Sequence, residues 1–497
     1  MQMEEPPVTE MLHAVARAFR ASLPQDAGLD VFHIDGLDRL GIPVMQASLQ
    51  PDEQSAIDGY GYGATAIEAE VGALGELCEE THAGDWIGRA PFVTASHAEL
   101  VRRHGAAGVV DPLTLCLSAG SDYTPEMELN WVQGRRHPSG EAVLVPQEWI
   151  AAYPSQLAQK ARLIMPITNG LGAGLDLEHA IAHGVMELLQ RDGNVVSYRA
   201  LDRGVVVDLD EVPDDIMALV DRLRGLGIAL QVKLASTEGG IANLYVVGDD
   251  AAAGLPIQIT SCGEAAHPDS AHGLRKALLE FAGSRARKAT THGPIDAVRR
   301  IMPAALAERR MREAIDDEEE SRALEAMAEW IGLDAAALRE RLAGCVFAAR
   351  DSVAFSSLPT VAAGSLRGSA ERLAWLTDHL ARQGMEILWV DCSPVDGPVK
   401  VVRVIVPGLE TETMSYYRIG WRGVARLRRR GDPLLLDAPR DGARRVRLRP
   451  EDEERAGGPA WFDVTLAAAL VDRLYPLYRE SGPFSAQLLH ARILSAA

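Results

Sequence analysis

The stretch LGAGLDLEHAIAHGVMELLQRDG, residues 171–193, places Glu187 in line with His179 and His183 among mostly small and apolar neighbours. Residues three or four apart share a helix face, so two imidazoles and a carboxylate form one slowly rotating stripe. Such a stripe offers a divalent cation two nitrogens and an oxygen, as catalytic zinc sites do, although it lacks the H-E-x-x-H order of metalloprotease helices. A second segment, IEAEVGALGELCEE (67–80), aligns with EHAIAHGVMELLQR (178–191). Ala69 falls on Ala180, Glu76 on Glu187, Leu77 on Leu188 and Glu79 on Gln190. A third, HGLRKALLEFAGSR (272–285), carries Glu280 on a similar small-residue face and ends in Arg285.

One such helix alone reads as a packed or solvated surface element. Three, each with a carboxylate amid small residues, predict a shared site. Glu76 and Glu79 project together, and if the helices converge, Glu76, Glu79 and Glu187 meet across a cleft. Buried carboxylates repel one another and resist ionisation unless a cation neutralises them, and oxygen donors suit Mg2+. The first two segments follow glycine-rich stretches, GYGYGAT and TNGLGAG. Read as turns, these bring backbone N–H groups to the helix starts, where phosphate oxygens bind.

Elements that could position these residues follow from the hydrophobic pattern. Residues 9–23 read as an amphipathic helix, and strand-like runs recur at GVVVDLDEV, IALQVKLAS, IANLYVVGD and EILWVDCS, separated by alanine-rich helical segments. An α/β (α+β layered) fold is expected. Ser369 and Gly384 bracket a helix with Leu373, Leu376 and Leu380 on one face, followed by the strand MEILWV. Residues 296–345 are dense in charge and helix formers and read as a helical insertion. Its run Asp316, Asp317, Glu318, Glu319 and Glu320 is expected on a solvated helix face or loop.

The chain has 497 residues, enough for a sizeable core, with 50 Lys+Arg against 70 Asp+Glu. A net charge of -20 repels phosphate backbones and anionic membranes, so neither a nucleic-acid nor a membrane partner is expected. The arginine clusters ARLRRRG and ARRVRLR lack interleaved aromatics and read as surface salt-bridging groups. Five scattered cysteines without a CxxC pair argue against a zinc ribbon or a disulfide scaffold. Without a signal-like start or a long apolar run, the expected location is the cytoplasm.

The motifs GYGATAIEAEVGALGELCEE, ITNGLGAGLDLEHAIAHGVMELLQRD, LRKALLEFAGSR and VKVVRVIVPGLE, in this order, resemble the YcaO family. The resemblance covers roughly residues 30–290 and 350–412. It implies a YcaO-like fold with pseudo-repeated halves, divided as 1–295, a charged helical insertion at 296–350, and 351–497. It also implies activation of a peptide or protein backbone amide with ATP and Mg2+. A nucleophile attacks the carbonyl carbon, the amide oxygen takes the γ-phosphoryl group, and loss of phosphate yields an azoline, a thioamide or an amidine for a thiol or hydroxyl, sulfide or amine nucleophile.

Carried over residue by residue, Glu76 and Glu79 match the family's first carboxylate pair, Glu187 the first acid of the second pair, Arg285 the arginine closing the third helix, and Arg403 the C-terminal motif. With Gln190, the first four form the expected nucleotide-binding set; Glu76, Glu79, His179, His183 and Glu187 form the expected metal set. The chain departs from the family pattern at Tyr62, Glu80, Leu175, His179 and Gln190, and no N-terminal lysine matches the usual nucleotide contact. Imidazole and amide in place of two acids favour a softer ion such as Zn2+ over Mg2+. Three functions are thus carried: ATP-dependent amide activation, an ATP-independent metal-dependent amide-processing enzyme, and a non-catalytic scaffold of a peptide-modifying complex. The expected partners are a peptide or protein substrate, delivered by a TfuA-like or leader-binding protein because no leader-binding domain is recognisable before residue 30, and a homodimer is a compatible assembly.

Overall fold

The computed structural model describes residues 8–51, 56–158, 162–196, 202–314, 321–362, 364–411, 417–477 and 482–496. The acidic run at 316–320 lies outside them. The chain forms two compact units from interleaved stretches: Met1–Leu77, Ser197–Ala362 and Leu470–Ala497 make the first, and Cys78–Val196 and Ala363–Ala469 the second.

In the first unit, strands Gly28–His33, Val44–Gln50 and Ile57–Tyr62 form an antiparallel sheet. A five-stranded sheet has the order Gly263–His267, Ala242–Asp250, Ile228–Ser236, Val205–Asp208, Asp351–Ala354, with the last pair parallel. Its central strands, read from the apolar runs IALQVKLAS and IANLYVVGD, are covered on both faces, which explains their nearly continuous hydrophobicity. On one face Leu230, Val232, Leu244 and Val246 share a core with Ile216, Val220 and Leu223 of helix Asp214–Gly225 and with Leu274, Leu278 and Phe281 of helix Ser270–His292. On the other, Tyr245 and Val247 share a core with Met327, Trp330, Leu338 and Leu342. The last four belong to the charge-rich segment, which folds as helices Ile295–Val298, Ala304–Glu313, Ser321–Gly332 and Ala335–Ala343 and turns its apolar stripe to the sheet.

The second unit holds an antiparallel sheet ordered Val93–Ser96, Glu128–His137, Ile387–Asp391, Lys400–Ile405, Leu171–Gly174, with Ala142–Pro146 pairing to Glu128–His137. Helices Leu177–Val196 and Ser369–Arg382 pack together, joining Ala180, Val185 and Leu188 to Leu373, Leu376, Leu380, Val402 and Val404. The chain enters the second helix at Gly368 and leaves it before Gly384, whose φ of +72° is left-handed. Its leucine face is the buried one, as the sequence predicts. All five cysteines are buried and unbridged.

The glycine-rich stretches correct the turn reading. They are strands, or run directly into strands, lying flat on the helices that follow. A Cβ on Gly61 would stand 2.0 Å from the Ala69 carbonyl oxygen, and one on Gly172 would stand 2.1 Å from that of Ala180. Likewise a Cβ on Gly59 would meet Ala73 O at 2.2 Å and one on Gly263 would meet Ala277 O at 2.0 Å. The repeat seen in the helices therefore extends to the strands before them. Gly61 and Ala69 are related as Gly172 and Ala180 are; Gly59, Ala73 and Glu76 are related as Gly263, Ala277 and Glu280 are. Glycine serves here by lacking a Cβ, which lets strand and helix backbones touch.

Gly61→Ala and Gly172→Ala should each destabilise their unit by about 3 kcal/mol or more, because the obstacle is backbone that no rotamer change can move. Gly88→Ala, on an exposed helix position with nothing within 4 Å, should be stabilising by about 0.5–1 kcal/mol. Denaturant unfolding of the three variants checks this; a tolerated Gly172→Ala contradicts the close packing.

Candidate active site

In the second unit, the strand Leu171–Gly174 gathers three of the expected site residues. Helix Ala66–Arg89 presents Glu79, which accepts the Ala173 N–H at 2.9 Å; helix Leu177–Val196 presents Glu187, which accepts the Gly170 N–H at 2.7 Å. His183 brings its Nε2 to 3.8 Å from Glu79, and Arg191 lies 3.5 Å from Glu187 one turn along the same helix. The Glu79 and Glu187 side chains are 15% and 24% exposed, so each carboxylate is anchored by an amide yet reachable from solvent. Glu80 accepts a hydrogen bond from the Tyr153 hydroxyl at 2.7 Å. Gln190 is buried. The His179 and His183 rings lie nearly parallel with centroids 6.5 Å apart, so they present faces to each other. Desolvation, then the nearby Arg372 guanidinium, hold the His179 pKa below its ordinary value. Among the described residues no group of three or more His, Cys, Asp or Glu side chains is set to hold a metal ion by itself.

In the first unit, Glu76 repeats the anchoring of Glu187 by accepting the Tyr60 N–H at 2.5 Å from its own preceding strand. Glu280, the equivalent acid of the third repeat, accepts the Tyr62 hydroxyl at 2.6 Å. Tyr62 is thereby tied to the third helix. Arg285 is 1% exposed; it donates to Asp38 at 2.8 and 2.9 Å, to Asp250 at 2.9 Å and to the Gln258 carbonyl at 2.6 Å. Its donors are thus committed to a buried ion-pair network that Arg39 extends through Asp250. Asp38 and Asp250 were not legible from the sequence, since both partners lie far from Arg285 along the chain.

The helix starts carry acids of their own. Glu68 accepts the Ala64 and Thr65 N–H groups at 2.6 and 3.2 Å, Asp176 accepts that of His179 at 2.6 Å, and Asp269 accepts those of Ala271 and His272 at 3.0 and 3.2 Å. At the first two of these helices, Glu68 and Asp176 thus accept backbone N–H groups at the starts where phosphate oxygens were expected. The Thr65-x-x-Glu68 pattern is a capping box that was legible in the sequence. The arginine clusters are only partly superficial: Arg428 pairs with exposed Asp437 at 2.9 Å, whereas Arg426 is buried against Glu410 at 3.1 Å. No helix among the described residues is long and apolar enough to cross a membrane.

Comparison with known proteins follows the same lines. The family model of the YcaO cyclodehydratases, described as ATP- and Mg2+-binding, matches residues 60–410. An uncharacterized protein of Methanothermobacter thermautotrophicus is 27% identical over 410 residues, covering 82% of this chain and 96% of that relative. One of Mycobacterium tuberculosis is 25% identical over 393 residues, covering 78% and 79%. A heterocyclase solved in complex with substrate and cofactor superposes with a TM-score of 0.61 at 18% identity over 86% of this chain. The match spans 55% of that enzyme, about half its length. YcaO from Methanopyrus kandleri, bound with AMPPCP and Mg2+, gives a TM-score of 0.55 at 21% identity over 83% of this chain and 93% of its own. The two structural likenesses speak for the mixed helix-and-sheet fold, and the sequence match from 60 to 410 decides the lineage: this chain belongs to the YcaO family.

Proposed function

We propose that this protein activates a backbone amide of a peptide or protein with Mg2+ and ATP, and that the product is a thioamide or an amidine. The observation that carries this reading is the pair Glu79 and Glu187, each fixed on a backbone N–H of the glycine-rich segment with carboxylate surface left open. Mg2+ is commonly held by one or two carboxylates together with substrate phosphates, so a preformed three-residue cage is not required of such a site. The donor set suits that cation, with Glu79 and Glu187 as its holders. ATP supplies the phosphoryl group that turns the amide oxygen into a leaving group.

The chain's own part is positional. The N–H bonds from Gly170 and Ala173 fix both carboxylates, while His183 at 43% exposure stands beside Glu79. The peptide is presented by a partner protein, of TfuA-like or leader-binding type. Peptides that stimulate ATP turnover, prepared with 18O in their backbone carbonyls, test the reading. Transfer of 18O into released phosphate is expected; unlabelled phosphate alongside a modified peptide overturns it. His179→Glu combined with Gln190→Glu, which restores two acids, should raise Mg2+–ATP affinity by about 10-fold in calorimetry.

A further inference from the structure

The second unit contains a pocket beside the Glu79–Glu187 strand whose purpose those acids do not explain. Trp149, Leu188 and Val406 are among its mostly apolar walls, and Asn169, Arg403 and Arg418 stand among them. Arg403 is 3% exposed and Asn169 8%. The Arg403 Nε donates to the Trp149 carbonyl at 2.8 Å and its Nη2 to the Ile167 carbonyl at 2.5 Å. Its Nη1 finds no acceptor among the described residues, and neither does the Asn169 Nδ2. Arg418 directs Nε, Nη1 and Nη2 to the Cys116 carbonyl, the Thr411 hydroxyl and the Leu115 carbonyl at 3.1, 3.3 and 3.2 Å. It therefore acts on the pocket chiefly as charge.

Buried donors without acceptors are destabilising, the more so when one is charged. Burial draws the Arg403 pKa down to about 10; Glu187 opposes that fall and Arg418 adds to it. An acceptor that is itself negative would satisfy both donors and relieve the repulsion between the two guanidinium groups.

We propose that this pocket receives a carboxylate carried on an apolar group, with Arg403 and Asn169 as its donors and Arg418 as supporting charge. A carboxylate rather than a phosphate is indicated by the small number of donors, since the remaining phosphate oxygens would face apolar walls. The carboxylate belongs either to a peptide C-terminus with an apolar last residue or to a small free acid, and the assignment holds whether or not the protein uses ATP.

Calorimetric titration of the full chain with N-acetyl-leucine, N-acetyl-leucinamide, a pentapeptide ending in leucine with a free carboxylate, and inorganic phosphate tests the assignment. The acid should bind saturably and at least about 10-fold more tightly than the amide. Asn169→Asp, which sets a second carboxylate against the ligand, should weaken the acid by about 10-fold or more, and Asn169→Leu by a smaller factor. Tighter binding of the peptide than of the acid identifies a chain end; equal binding identifies a free acid. Absence of saturable binding, equal binding of acid and amide, displacement of the acid by phosphate, or unchanged affinity in both Asn169 variants overturns the proposal.

Discussion

Glu187→Gln should lower Mg2+–ATP affinity by at least about 10-fold while leaving the unfolding midpoint nearly unchanged. Glutamine keeps an oxygen that can accept the Gly170 N–H, so the link from helix to glycine-rich segment survives. What is lost is the negative charge that a hard cation requires. Glu79→Gln should behave in the same way through the Ala173 N–H. Glu187→Ala removes the acceptor as well and leaves the Gly170 amide to find another partner, so it should lose both nucleotide affinity and stability. Calorimetry with Mg2+–ATP, run beside thermal unfolding of the same samples, separates the two effects. A Glu187→Gln protein that binds nucleotide as wild type removes this carboxylate from the metal site.

The second large effect concerns stability. Arg285→Met should destabilise the protein by about 3–5 kcal/mol, because it strands Asp38 and Asp250 in a buried setting with one guanidinium fewer. Arg39 still reaches Asp250, so the Asp38 side of the network loses most. Asp38→Asn with Arg285→Met should therefore recover part of the loss, a non-additivity expected of groups in direct contact. Denaturant unfolding of the single and double variants measures this coupling. Strict additivity would mean that Arg285 and Asp38 do not depend on each other in the folded state.

The repeat was legible because sterics leaves few alternatives: where a strand lies directly on a helix, both must carry small residues at the crossing. Gly61 with Ala69 and Gly172 with Ala180 register that need. The strand character of the same glycines was not legible. Glycine is the usual mark of a turn by virtue of its conformational freedom, whereas its use here is the absent Cβ. The apolar runs at 228–236 and 241–249 identified themselves as strands, and Leu373, Leu376 and Leu380 identified their helix face. Partners distant in sequence stayed hidden. Nothing near Arg285 points to Asp38 or Asp250, and nothing near Arg403 points to the carbonyls of Trp149 and Ile167. The anchoring of Glu76 and Glu187 by backbone N–H groups was equally out of reach, since it depends on how strand and helix meet. The acid capping one helix start was within reach at Thr65-x-x-Glu68.

The central claim, that anchored carboxylates hold Mg2+ with ATP, is tested most directly by titrating the purified protein with ATP in the presence and absence of Mg2+ in a calorimeter. The account predicts saturable binding that needs the metal and that weakens in Glu79→Gln and Glu187→Gln. Binding that is indifferent to Mg2+, or no binding heat up to millimolar nucleotide, would contradict it.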